Sequence, residues 1–128
     1  MENPSVLASV LIPAYNAENT IVDAVQSVLI QTHTNFELIV VDDGSQDSTL
    51  ETLQSIKDPR VIIIYQREYK GLGESLNAEI GLSQGKYIAR MDAGHVSALN
   101  RLEKQVKFLE NHPEIGVGRS DNLWRLST

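Results

Sequence analysis

The chain has 128 residues, of which 41% are hydrophobic and 22% charged, with no cysteine and a formal net charge of −6. That length suits one domain around one core. Disulfides and thiolate metal sites are excluded. The acidic balance, with Lys and Arg scattered, argues against a nucleic-acid surface, and no apolar stretch approaches the ~20 residues of a membrane span.

The start, Met1-Glu-Asn-Pro-Ser5, is acidic and lacks a basic stretch followed by an apolar run. No signal peptide is read there, and a cytoplasmic location is expected. Four apolar, β-branched runs follow: Val6–Ile12, Leu38–Val41, Val61–Tyr65 and Tyr87–Met91. Their continuity predicts strands buried on both faces. Helical spacing separates them. Ile21, Val25, Val28 and Leu29 mark the first helix, with Thr20 or the preceding Asn residues as caps. A second runs from Asp47-Ser48-Thr49 to Ile56 and stops before Asp58-Pro59. Leu76, Ile80 and Leu82 mark a third, ending at Gly85 as its C-cap. The fourth covers Arg101 to Glu110. Strand alternating with helix predicts an α/β, Rossmann-like fold with a mostly parallel sheet between helices.

Ligands of open α/β sheets bind at the carboxyl ends of the strands, and two strands here end in polar loops. Ala8-Ser-Val-Leu-Ile-Pro-Ala-Tyr-Asn16 places Tyr15 where an aromatic ring can stack on a nucleobase. The same residues also suit a plain turn, with Pro13 ending the ladder for want of an amide hydrogen and Asn16 as a cap. Leu38-Ile-Val-Val-Asp-Asp-Gly-Ser-Gln-Asp-Ser-Thr49 offers Asp42 and Asp43 to a ribose hydroxyl or base imide; alternatively Asp-Gly makes a turn and Asp47 or Ser48 caps the helix. The two motifs together favour a nucleotide. Gly71-Leu-Gly-Glu-Ser-Leu76 lacks the third glycine of a dinucleotide fingerprint and follows the third strand, so it reads as a flexible entry to the helix that bears Asn77. Tyr87-Ile-Ala-Arg-Met-Asp-Ala-Gly-His95 ends a strand at Asp92. One carboxylate with His95 is a weak site for Mg²⁺ or Mn²⁺, which prefer oxygen ligands. No chemistry is assigned to His33 or His112.

From Val6 to about Val117 the chain resembles the family 2 glycosyltransferases of GT-A fold, in their nucleotide-sugar-binding half. Leu11-Ile-Pro-Ala-Tyr-Asn16 is similar to the family's first-strand motif, and Val40-Val-Asp-Asp-Gly-Ser45 with Asp47-Ser-Thr49 to its second. Gly71, Asn77 and Gly81, followed by Gly85-Lys-Tyr-Ile88, resemble its third-helix pattern. Ala89-Arg-Met-Asp92, Arg101-Leu-Glu-Lys-Gln105 and His112-Pro-Glu-Ile-Gly116 resemble one subgroup. The resemblance implies a nucleotide-diphosphate sugar donor, a UDP-sugar first among them, for transfer to a glycan or lipid-linked acceptor. It implies nucleotide contacts from Pro13, Ala14, Tyr15, Asn16, Asp43, Asn77, Asp92 and Ala93, with Asp43 on the base and ribose. It also implies Mg²⁺ or Mn²⁺, with Asp92 as ligand. The family has Asp-Ala-Asp-Asp where this chain has Asp92-Ala-Gly-His95, so Gly94 occupies the place of the main metal carboxylate.

Residues 1–117 are expected to form the nucleotide-sugar domain and 118–128 an irregular tail. The family's acceptor-binding half, which supplies the general base, has no counterpart here, so no residue is assigned a catalytic role. Loss of a base alone removes ~10²–10⁴-fold in rate, so a truncated chain of this kind is expected to transfer little sugar by itself. The other reading is a non-catalytic nucleotide-binding or oligomerisation module that keeps the fold. The strand at Tyr87–Met91 would be left as an open apolar edge, which predicts a homodimer.

Overall fold

The computed structural model describes residues 8–32 and 35–112, and the backbone of 123–125. Val6, Leu7, His33 and the boundary drawn near residue 117 lie outside the described residues. The order is β1 (Ala8–Ala14), α1 (Ile21–Leu29), β2 (Phe36–Asp43), α2 (Thr49–Gln54), β3 (Val61–Gln66), α3 (Leu72–Leu82), β4 (Tyr87–Arg90), α4 (Arg101–Glu110) and β5 (Leu123–Arg125). The sheet order is β3-β2-β1-β4-β5. The first four strands are parallel and β5 is antiparallel to β4. The predicted α/β class and all four predicted strands and helices are present, and β5 is an addition.

The two central strands are buried along nearly their whole length. Alternation splits their side chains between two faces. Val10, Ile12, Leu38, Val40, Tyr87 and Ala89 form the main core with Ile21, Val25 and Val28 of α1, Leu53 of α2, and Leu102, Val106 and Leu109 of α4. The other face carries the smaller cluster of Leu11, Ile39 and Ile88, with Ile64 packed against it. Only α3 is laid over that face from between the parallel strands.

Among the boundaries that differ from the sequence reading, three have a clear physical cause. The first strand runs through Pro13, which pairs with Val41, to Ala14. The β4 ladder on the opposite side stops at Leu11, whose carbonyl accepts the Met91 amide. Backbone groups alternate sides along a strand, so the amide hydrogen that Pro13 lacks would point where β4 has already ended. The second helix begins only at Thr49, because the Asp47 carboxylate accepts the Thr49 amide at 2.9 Å and holds the turn ahead of it. The third helix ends at Ser83, whose φ of −68° and ψ of 133° are extended, so Gly85 is no C-cap. Gly85 is instead pressed onto the start of β1. A Cβ there would lie 2.6 Å from the Ser9 amide nitrogen and 2.7 Å from the Ala8 carbonyl carbon. Gly85→Ala should therefore destabilise by ~1–3 kcal/mol through overpacking, which a shift of the urea midpoint would report.

The edge expected to drive dimerisation is covered. Tyr87, Ile88 and Ala89 pair with Arg125, Trp124 and Leu123 of the chain's own tail. The physical basis for a homodimer through β4 is thereby removed, since its backbone groups already have partners. The outermost strand on that side is three residues long, and short edge strands pair poorly with other chains.

Helix α3 is fastened unusually. Its buried residues are Ser75 and Glu79, while Leu72, Ile80 and Leu82 are exposed. Leu76 and Ala78 are half-buried, so apolar burial is only part of its seat, and backbone capture by carboxylates holds its ends. Before the helix, Asp43 accepts the amides of Lys70 at 2.7 Å and Gly71 at 2.9 Å. After it, Glu37 accepts the Gln84 amide at 2.7 Å and the Ser9 hydroxyl at 2.6 Å, and Ser9 accepts the Gly85 amide at 2.9 Å.

Candidate functional site

The carboxyl ends of β1 and β2 and the start of α3 enclose a cavity of about 100 Å³, lined by Pro13, Ala14, Tyr15, Asp43, Tyr69, Leu72 and Ser75. Four of the eight residues expected to meet a nucleotide are thus brought together. The rings of Tyr15 and Tyr69 stand 4.5 Å apart between centroids, inclined at 58°. Both are substantially exposed, so they form an aromatic rim that a flat ligand can lie against. Asp43 is 97% buried at the cavity wall, being only 3% exposed. Each of its oxygens accepts one amide, and each carboxylate oxygen has two lone pairs. Acceptor capacity therefore remains for a ligand N–H or hydroxyl. Ser75 adds a hydroxyl, which donates to Gln66 Oε1 at 3.3 Å.

Tyr69, Leu72 and Ser75 are absent from the sequence reading. The signal that places Tyr69 is Gly44, which has a φ of +72° and would bring a Cβ to 2.6 Å from the Tyr69 amide nitrogen. Only glycine lets the β2–α2 turn and the segment before α3 approach so closely.

Asn16 is not part of the cavity lining. It adopts a φ of +48°, and it ties two loops together. Its amide donates to Ser45 Oγ at 2.9 Å, and its Oδ1 accepts the Gln46 amide at 2.8 Å. The same seam continues through the Ala17 amide to Thr49 Oγ1, the Glu18 amide to Asp47 Oδ2, and the Ser48 amide to Glu18 Oε2. At Asp47 burial pushes the carboxyl up, but the hydrogen bonds from Thr49 and the Glu18 amide outweigh it and hold the group below its usual range. The turn interpretation of Asn16 and Asp47 is therefore realised beside the cavity formed by their neighbours. Asp42 is fully buried, and its Oδ1 accepts the Ser45 amide at 3.1 Å.

Asn77, Asp92 and Ala93 also lie outside the lining. Asn77 is on the exposed side of α3. The loop after β4 is pinned farther along, where the Ser97 amide donates to Ser27 Oγ and Gln31 Nε2 to the Ala98 carbonyl. Residues 92–95 project ahead of those anchors. Asp92 is 54% exposed in its side chain; Arg90 Nη2 lies 3.4 Å from one oxygen and His95 Nδ1 3.7 Å from the other. Among the described residues no three His, Cys, Asp or Glu side chains cluster to hold a metal ion. One exposed carboxylate facing a guanidinium and an imidazole does not fit Mg²⁺ or Mn²⁺, which need several oxygen ligands. Among the described residues no helix is long and apolar enough to cross a membrane.

The sequence pattern of glycosyl transferase family 2 matches residues 9–121. The chain belongs to that family. Among curated relatives, an uncharacterized glycosyltransferase of Haemophilus influenzae is 43% identical over 111 residues, covering 85% of this chain and 34% of that protein. The Escherichia coli UDP-Glc:alpha-D-GlcNAc-diphosphoundecaprenol beta-1,3-glucosyltransferase WfaP is 36% identical over 104 residues, covering 81% of this chain and 41% of that protein. Among solved structures, S. aureus TarS in complex with UDP superposes with a TM-score of 0.78 at 24% identity, over 84% of this chain and 33% of that one. The mannosyltransferase PcManGT of Pyrobaculum calidifontis, in complex with GDP-Man and Mn²⁺, superposes with a TM-score of 0.79 at 22% identity, over 90% of this chain and 38% of that one. These likenesses show the GT-A fold. The family 2 chain spans about a third to two fifths of the length of these proteins.

Proposed function

We propose that this chain binds the nucleotide of a nucleotide-diphosphate sugar, a uridine nucleotide first among candidates, with the base against the Tyr15–Tyr69 pair and its polar edge on Asp43. The observation that carries this reading is the shared cavity of Tyr15, Asp43 and Tyr69 at the carboxyl ends of β1 and β2. Its size is below the ~300–1,000 Å³ that encloses a whole drug-sized ligand, so it takes the base end and leaves the diphosphate and sugar outside it. That solved structures of the same fold hold UDP or GDP-Man supports the assignment.

Uridine diphosphate should bind near the millimolar range, worth about 4 kcal/mol. Tyr69→Ala should weaken binding about tenfold, because stacking on an aromatic ring contributes ~1–3 kcal/mol. Calorimetry on both proteins decides the matter, and an unchanged affinity in the variant would remove Tyr69 from the site.

A glycan or lipid-linked sugar is the proposed acceptor class of the reaction to which this donor site belongs. By itself the chain should transfer little sugar, since no general base is assigned on it. The second reading, a nucleotide-binding module without catalysis, is favoured by the loop at 92–95, where Gly94 leaves Asp92 without a carboxylate partner. Mn²⁺ should accordingly raise nucleotide affinity less than about threefold. Nothing lies within 4 Å of a Cβ built on Gly94, so Gly94→Asp with His95→Asp should be tolerated and should introduce metal-dependent binding through hard oxygen ligands. Titrations with and without Mn²⁺ test this, and a strong Mn²⁺ requirement in the unaltered chain would contradict it.

A further inference from the structure

Glu79 is a charged residue type with 0% exposure, and neither carboxylate oxygen has a hydrogen-bond partner. It sits at the middle of α3, one turn after Ser75, which lines the cavity. The groups that face it come from three strands. From β1 and β2 these are the backbone of Ile12 and Val41, and from β4 the Arg90 guanidinium. Arg90 Nε is also buried without a partner, and its Nη2 turns outward to Asp92. The other acidic groups on this face, Asp43 and Glu37, are occupied by amides at the two ends of the helix. Ile12 and Val41 each precede the strand ends that carry Pro13, Asp42 and Asp43, so Glu79 lies directly behind the cavity.

We propose that Glu79 is a positioning residue of the nucleotide pocket: with its proton on, it lets α3 seat against the sheet, and the seated helix supplies the Tyr69, Leu72 and Ser75 wall. This rests on the nucleotide reading above and adds a control to it. An apolar helix face would hold the helix down in either protonation state, but α3 exposes Leu72, Ile80 and Leu82 and buries a carboxyl. Releasing that proton leaves a desolvated anion under the helix, whose burial outweighs the help of the Ile12 and Val41 backbone and of Arg90. A group of this kind either draws in Arg90 or leaves the interface. Elements held by few apolar contacts are the ones that open locally. Opening α3 pulls on the Lys70 and Gly71 amides that Asp43 holds, and with them Tyr69. Burial places this transition on the alkaline side of neutrality, near 8.

The experiment compares the whole chain with Glu79→Gln, and with Glu79→Met should the first fold poorly. Amide hydrogen exchange of Lys70 and Gly71 is followed from pH 6 to pH 9, each rate taken relative to its intrinsic base-catalysed value. UDP affinity is measured over the same range. In the unaltered chain, protection of both amides should fall about tenfold per pH unit from pH 6 to about 8 and level off above it, and UDP affinity should be lower at pH 9 than at pH 6. In Glu79→Gln both profiles should be flat. Equal profiles in the two proteins would overturn the proposal. If the amides behave as expected and UDP binds at no pH, Glu79 keeps its positioning role and the nucleotide reading fails instead.

Discussion

Stability of the unaltered chain should fall steadily from about pH 5 to pH 8, and Glu79→Gln should abolish that slope. The cause is the raised carboxyl of Glu79, which burial pushes up to about 8 from an ordinary 4.5. Between those values the folded chain keeps a proton that the unfolded chain has lost. Stability therefore declines by ~1.4 kcal/mol per pH unit across the window. The contribution is complete below the unfolded value and gone once pH passes the folded one, a total approaching ~5 kcal/mol. That is comparable with the whole stability of a small domain. The glutamine variant buries an amide without a partner, at a cost of ~1–3 kcal/mol, so it should be less stable than the parent at pH 5 and more stable at pH 8. Urea midpoints at the two pH values suffice, and parallel slopes would contradict the account. Asp47 and Asp58, both held below the ordinary carboxylate range, act at the other end: their stabilisation is present above about pH 4 and is lost only as pH falls through their lowered values.

Asp43→Ala should abolish nucleotide binding and destabilise the fold together. The carboxylate accepts two backbone amides at 2.7 and 2.9 Å while almost fully buried. Hydrogen bonds to charged groups contribute ~1.5–3 kcal/mol each at most, and losing both should cost roughly 3 kcal/mol, because the freed amides of Lys70 and Gly71 can reach water. The same change removes the acceptor facing the cavity and loosens Tyr69. Asp43→Asn separates the two roles: one oxygen still accepts an amide, so stability should largely recover while base recognition stays weak. Full binding by Asp43→Ala would show that the carboxylate only fastens α3.

The strands were legible because parallel strands buried on both faces leave unbroken apolar runs, as in Leu38–Val41. Even there Pro13 misled, since its missing amide hydrogen matters only on the side where β4 has ended. The helical stripe of Leu76, Ile80 and Leu82 located α3, but of the three only Leu76 turns partly inward. The ends of that helix are tied by Asp43 and Glu37, and this rotates Ser75 and Glu79 onto the sheet. No periodicity reports such long-range tethers. Half of the candidate site was legible as two motifs at strand ends. Tyr69, Leu72 and Ser75 were not, because they reach the cavity through a crossover from β3 and through the close approach that Gly44 permits. Strand β5 is three residues long and is defined by pairing with β4, not by any pattern of its own.

Chemical-shift mapping of the intact chain with uridine diphosphate, at concentrations up to several millimolar, tests the central claim most directly. The account predicts saturable shifts at Tyr15, Asp43, Lys70, Gly71 and Ser75, with little change when Mn²⁺ is replaced by a chelator. No shift with any nucleoside diphosphate, or shifts confined to residues away from this cavity, would contradict it.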